Sequence, residues 1–156
     1  MVLDGTIDMI VSDHSPHSFE KKTPIDGNFW TVSEGCTGVQ TLLPVVATEG
    51  RKRGLSWTHL VKLCATQPAK RFGLGYTKGD IQIGFDADLV IFNPHKEWMQ
   101  DDSKLFYLNK WSPYRNKMFK GQVTRTLIRG KTVFNNGEIQ VNPGYGRFYK
   151  MDIATN

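Results

Sequence analysis

Cysteine is scarce in this chain. Two thiols in 156 residues cannot form the dense framework of a small secreted domain, so Cys36 and Cys64 are expected to be packing residues in a reducing, intracellular compartment. Cytoplasm, mitochondrion and peroxisome all remain open. No apolar run approaches the ~20 residues that would cross a bilayer, so no membrane partner is expected. Internal repeats and low-complexity tracts are also absent, which excludes solenoids. Asp4, Asp8 and Asp13 follow Met1 without the basic, apolar and small-residue order of a secretory leader. What remains is a globular composition, 39% hydrophobic and 22% charged, enough for one domain or two small ones.

Acidic residues are missing from one long stretch. Between Lys104 and Lys131 there are eight Lys or Arg and no Asp or Glu, within a net charge of +5. Such a block attracts polyanions, and Phe106, Tyr107, Trp111, Tyr114 and Phe119 interleave with it as nucleic-acid-binding surfaces require. The simpler reading is a solvated sheet rim whose cations discourage edge pairing, with no nucleic acid bound. A basic β module that binds nucleic acid or an acidic partner is the alternative.

The hydropathy pattern divides the chain. Residues 7–11 are apolar and β-branched, as in a strand buried on both faces of a parallel sheet. A long polar loop follows to about Glu34, and loops of that length are usually functional. Val39, Leu42, Leu43, Val46 and Ala47 then recur at helical spacing, with Pro44 expected to kink the helix and Gly54 to stop it. Ser56 is a candidate N-cap for a second helix ending near Gln67, and Pro68 should open a third, closed by Gly73. Beyond Gly75 the period becomes strand-like at 81–83, 87–92, 123–129, 131–134 and 138–141, with an irregular crossing over 95–121. Gly130-Lys131 and Asn136-Gly137 are the expected turns. The expected organisation is a strand, loop and helices over 1–75, a β-rich portion over 76–145 and an extended tail over 146–156.

Where the first strand stops, chemistry-bearing groups crowd together: Asp13, His14, Ser15, Pro16 and His17. A carboxylate at a strand's C-terminal end suits a metal ligand or general base. It equally suits a turn in which Asp13 and Ser15 cap backbone N–H groups and the histidines are loop polars. The residues alone leave both readings standing.

The segment Gly5-Thr6-Ile7-Asp8-Met9-Ile10-Val11-Ser12-Asp13-His14-Ser15-Pro16 resembles the last barrel strand of allantoinases, cyclic amidohydrolases related to dihydroorotases and hydantoinases. Gly35-Cys36-Thr37-Gly38-Val39-Gln40 resembles the family's glycine-bearing loop. Pro68-Ala69-Lys70, Lys78-Gly79-Asp80-Ile81, Gly84-Phe85-Asp86-Ala87-Asp88-Leu89-Val90 and Arg129-Gly130-Lys131 continue the likeness in order. Residues 48–56 and 112–114 are similar to allantoinase in particular. His17 occurs where dihydroorotases place a histidine that contacts the substrate carboxylate.

The resemblance implies an α/β fold: the C-terminal end of a metal-dependent (β/α) barrel followed by part of a small β-sandwich. It implies hydrolysis of a cyclic ureide, allantoin to allantoate, by hydroxide on a pair of divalent metals, commonly zinc, in an enzyme that is tetrameric in the family. Asp13 would be both metal ligand and catalytic proton carrier. Ser15, His17 and the backbone around Glu34, Gly35 and Gly38 would border the substrate ring. The family's paired histidines, bridging lysine and later histidine ligands would lie upstream of this segment. The chain is therefore expected to be the end of an enzyme, inactive alone and weak in metal affinity, with neither His59 nor His95 a ligand.

Overall fold

The computed structural model describes residues 1–149. Apart from short 3-10 turns, its helices precede residue 72 and its paired strands follow residue 88. Helix α1 (Leu42–Val45) runs on through a π turn, Val46–Gly50. Pro44 does not end the helix, whose hydrogen bonding widens from α to π two residues beyond it. Helix α2 (Trp57–Val61) is capped as expected, Ser56 Oγ accepting from the His59 N–H at 3.1 Å. It continues through a second π turn, Lys62–Thr66, directly into α3 (Gln67–Arg71), so the expected break before Pro68 is absent. The wide turn just ahead of the proline relaxes the i−4 register in which its ring would collide with a carbonyl. Gly73, at φ +71°, ends the helix.

These helices enclose the first core. Ala47, Leu55, Leu60 and Leu63 are at most 4% exposed and pack with Ile10, Leu43, Val46 and Phe92. Full burial of each leucine contributes about 1.5–3 kcal/mol relative to exposure. Cys64 joins the edge of this core, and burial pushes its thiol pKa up. Cys36, by contrast, is exposed and is not the packing residue expected.

Residues 7–11 form no strand ladder, contrary to expectation. Ile7 N–H donates to the Met1 carbonyl at 3.2 Å and Ile10 N–H to the Leu63 carbonyl at 3.0 Å, so the segment is tethered to its own start and to α2's extension. A parallel strand needs neighbours brought in by crossovers, and the described residues supply only a single parallel bridge, His14 to Cys36.

The sheet is an antiparallel meander of β1 (Leu89–Met99), β2 (Met118–Ile128), β3 (Lys131–Asn135) and β4 (Glu138–Ile139), in chain order. The described residues hold this one sheet, not the two layers a sandwich requires. Residues 81–83 form no strand, and Ile81 and Ile83 stand in solvent. Conversely β1 passes through Asn93-Pro94: Asn93 pairs with Gln122 and Glu97 with Lys120, so Pro94, His95 and Lys96 bulge opposite Gly121. A proline in a bulge forfeits no ladder hydrogen bond. Gly121 sits at φ +106°, and a Cβ there would fall 2.3 Å from Phe92 Cζ. The expected irregular crossing is thus shortened from both ends by ladder residues. The first hairpin turn is Arg129-Gly130, not Gly130-Lys131. Both residues have positive φ, and Asp88 Oδ1 accepts the Arg129 N–H at 2.8 Å, holding a non-glycine residue in that conformation. Asn136-Gly137 turns as expected, with φ of +47° and +99°.

Helix and sheet meet through Thr48, whose Oγ accepts the Lys120 N–H at 3.0 Å and donates to the Lys120 carbonyl at 3.3 Å. Phe119 is the buried plug of a second core, with ring centroids 5.1 Å from Trp98 and 6.1 Å from Tyr114. Of the aromatics that interleave with the basic block, Tyr107 and Phe119 are buried, Trp111 and Tyr114 half-buried, and Phe106 alone of the five is exposed. Several of the cations are also paired, Arg115 with Asp102 at 2.6 Å and Lys117 with Glu49 at 2.8 Å. The start of the expected tail folds back, the Tyr149 hydroxyl donating to Asp86 and its ring centroid lying 4.4 Å from Lys78 Nζ. Tail residues 150–156 lie outside the described residues.

Candidate active site

The chain leaves its extended segment at Asp13, which adopts φ +42°. Aspartate is among the few L-residues that tolerate this left-handed conformation. The bend sends residues 14 and 15 alongside residue 36, and the Ser15 N–H donates to the Cys36 carbonyl at 2.9 Å. Gly35 lies so close to Ser15 that a Cβ on it would be 2.5 Å from Ser15 Cβ, and its φ is +78°. A Cβ on Gly38 would lie 3.0 Å from the Ser12 carbonyl oxygen. Ser15, Gly35 and Gly38 are therefore brought together as two facing loop walls, with the exposed Asp13 and Glu34 beside them in the chain. His17 is placed through its backbone: its N–H donates to the Ser15 carbonyl at 3.0 Å, and its carbonyl accepts the Trp111 indole N–H at 2.7 Å.

The residues that hold these walls were not found from sequence. Tyr107 Oη accepts the Gln40 N–H at 2.6 Å, and burial pushes its phenol pKa above the ordinary value. Thr37, also buried, donates to the Trp111 carbonyl at 2.8 Å, and Asn109 donates to the Pro16 carbonyl. Lys22 donates to the carbonyls of Ser33 and Gly35 while standing 5.8 Å from the Trp111 ring centroid, tying the long loop to the same support. His14 is no idle loop polar. Its Nδ1 accepts the Gly38 N–H at 3.0 Å and the Val39 N–H at 3.3 Å. The only sequence signal for this support was the aromatic density of residues 106–114.

Among the described residues, no group of three or more His, Cys, Asp or Glu is placed to hold a metal ion. Asp13 offers one carboxylate, and His14 Nδ1 is already engaged with backbone. His59 lies on α2 and His95 in the β1 bulge, both away from these loops. The donor set of this chain does not fit a metal centre on its own.

A sequence model of the amidohydrolase family matches residues 1–133. The chain belongs to this family. It is 36% identical to the probable allantoinase 2 of Dictyostelium discoideum over 94% of its own length and 30% of that protein's. It is 38% identical to the allantoinase of Rubrobacter xylanophilus, covering 96% of this chain and 32% of the relative. Among solved structures, the L-hydantoinase (dihydropyrimidinase) from Arthrobacter aurescens superposes with a TM-score of 0.88 at 36% identity, covering 94% of this chain and 33% of that one. The chain thus spans about a third of the length of the relatives it matches. Among its described residues no helix is long and apolar enough to cross a membrane.

Proposed function

We propose that this chain is the C-terminal portion of an allantoinase-type cyclic-amide hydrolase, and that the complete protein opens the hydantoin ring of allantoin to allantoate. In this reading Asp13 carries the proton from the attacking oxygen to the departing ring nitrogen. Ser15, His17 and the backbone of Glu34, Gly35 and Gly38 border the ring. A divalent metal, zinc, belongs to the complete protein, with Asp13 as one of its donors. The observation that carries the reading is the pairing of Asp13 with the glycine loop: a carboxylate on a left-handed bend, directly followed by residues bonded to Cys36 and closed against Gly35.

The test is a chimera in which this chain replaces the corresponding third of the Rubrobacter xylanophilus allantoinase. The expected result is allantoin hydrolysis that Asp13→Asn lowers by about 10³-fold or more in kcat. A folded, metal-retaining chimera inactive on every cyclic amide tried would overturn the reading, as would full activity with Asp13→Asn. Preference for dihydroorotate or an unsubstituted hydantoin would overturn the assignment of allantoin while keeping ring hydrolysis, and His17 is the residue such an outcome would implicate. The isolated chain is expected to be inactive, and hydrolysis by a preparation free of host enzyme would refute that.

A further inference from the structure

The Thr41 and Leu42 N–H groups both donate to the Gly38 carbonyl, at 3.0 and 2.9 Å, so helical hydrogen bonding begins at Gly38 and the amides of Gly38, Val39 and Gln40 are left without helical acceptors. The usual solution is a Ser, Thr, Asp or Asn cap. Gly38, whose carbonyl opens the helical bonding, has no side chain to supply one. Two aromatic residues distant in sequence do the work instead. His14 Nδ1 takes the amides of Gly38 and Val39 at 3.0 and 3.3 Å, and Tyr107 Oη takes that of Gln40 at 2.6 Å. The two rings pack against each other, centroids 4.7 Å apart at 52°.

We propose that His14 is a positioning residue for this site: its ring, braced on Tyr107, locks the glycine loop at a fixed distance from the carboxylate of the preceding residue, Asp13. This rests on the reading that Asp13 and the Gly35–Gly38 backbone act on one substrate. The geometry has three consequences. A nitrogen that accepts two N–H groups carries no proton, so the ring is the Nε2–H tautomer. The covalent link from Asp13 to His14 is one residue long, so movement of the loop is transmitted to the carboxylate with little slack. The hydroxyl of Tyr107 is itself anchored, since its residue is 9% exposed and its neighbour Phe106 donates its N–H to Gln40 Oε1 at 2.9 Å. Gln40 is therefore gripped at both backbone and side chain, and the clamp cannot shift without disturbing the 105–111 segment.

Two measurements test the proposal. In the ¹⁵N-labelled 156-residue chain, long-range ¹H–¹⁵N spectra should show an unprotonated, hydrogen-bonded Nδ1 and a protonated Nε2 for His14 at neutral pH. There, His14→Leu should abolish the exchange protection of Gly38 and Val39 but not of β1–β2 amides, while Tyr107→Phe should release Gln40 alone. A protonated Nδ1, or protection unchanged by His14→Leu, would overturn the clamp. In the chimera, His14→Leu should raise KM about tenfold or more with a smaller change in kcat, because loop placement governs substrate binding. His14→Asn, whose Oδ1 falls where Nδ1 was, should restore most of that loss. Equal defects for Leu and Asn would refute positioning through Nδ1. If the unmutated chimera is inactive, the hydrolase reading fails separately, and the amide and tautomer data still decide whether the clamp exists.

Discussion

The two ends of this chain satisfy their backbones in opposite ways. From Leu89 to Ile139 every strand finds its partner in the next one, through turns of two residues or through the returning 100–117 segment. Over residues 7–40 backbone groups are met one at a time, by Leu63, Cys36, His14, Tyr107 and Trp111. An antiparallel meander closes within a short stretch of sequence. A barrel strand closes only with strands that other parts of a chain supply. The sheet is therefore finished by its own residues, and the loops around Asp13 and Gly35 are held by side chains borrowed from the sheet's long connection.

Breaking the shared support should have the largest effect. Phe119→Ala empties a side chain that is 1% exposed between Trp98 and Tyr114, and is expected to cost about 3–5 kcal/mol. Urea denaturation should show one cooperative loss of sheet and helices; loss of the sheet signal with the helix signal retained would show that the halves are independent. A smaller effect should be confined to the site. Gly35→Ala forces a Cβ to within 2.5 Å of Ser15 Cβ at φ +78° and is expected to cost about 1–3 kcal/mol locally. Hydrogen exchange should quicken at the Ser15 N–H while the β1–β2 ladder stays protected, and uniform quickening would contradict that division.

The subtlest test uses pH. The Lys117 ammonium, hydrogen-bonded to Glu49, and then Arg53 hold the Glu49 pKa down at about 2 from its ordinary 4.5. A depressed carboxylate pKa stabilises the fold above the unfolded value and loses that contribution as pH falls, here from about 4.5 to about 2. Because Glu49 lies in α1's extension and Lys117 immediately before β2, acid should loosen the junction between halves. Lys117→Met should move the Glu49 carboxyl titration upward and flatten that part of the acid transition. An unchanged carboxyl shift in NMR would remove Lys117 as the cause.

Legibility followed the same division. The Asn136-Gly137 turn, the Ser56 cap and the Gly73 stop depend on neighbours in sequence, and each was readable from residue type. The break at Pro68 and the strand end after residue 92 were misread because a π turn and a bulge, neither with a local signature, absorb Pro68 and Pro94. Asp13, Ser15, Gly35 and Gly38 could be nominated by resemblance. The grip on them could not, since Tyr107 meets Gln40 across 67 positions and Trp111 meets His17 across 94. Contacts at that separation leave no periodicity to detect. The aromatics of the basic block make the same point, since their interleaving with cations in sequence does not tell that Tyr107 and Phe119 are buried.

The left-handed bend at Asp13 also bears on how a lineage could change its chemistry. Asparagine and glycine, the residues best able to occupy φ +42°, are each one nucleotide away from an aspartate codon. A descendant could lose the carboxylate by a single point mutation and keep the loop in register, so the shape of this wall can outlast the role proposed for Asp13. The same backbone makes alanine a poor probe there, because it would add strain to the loss of charge and blur which of the two silenced the site.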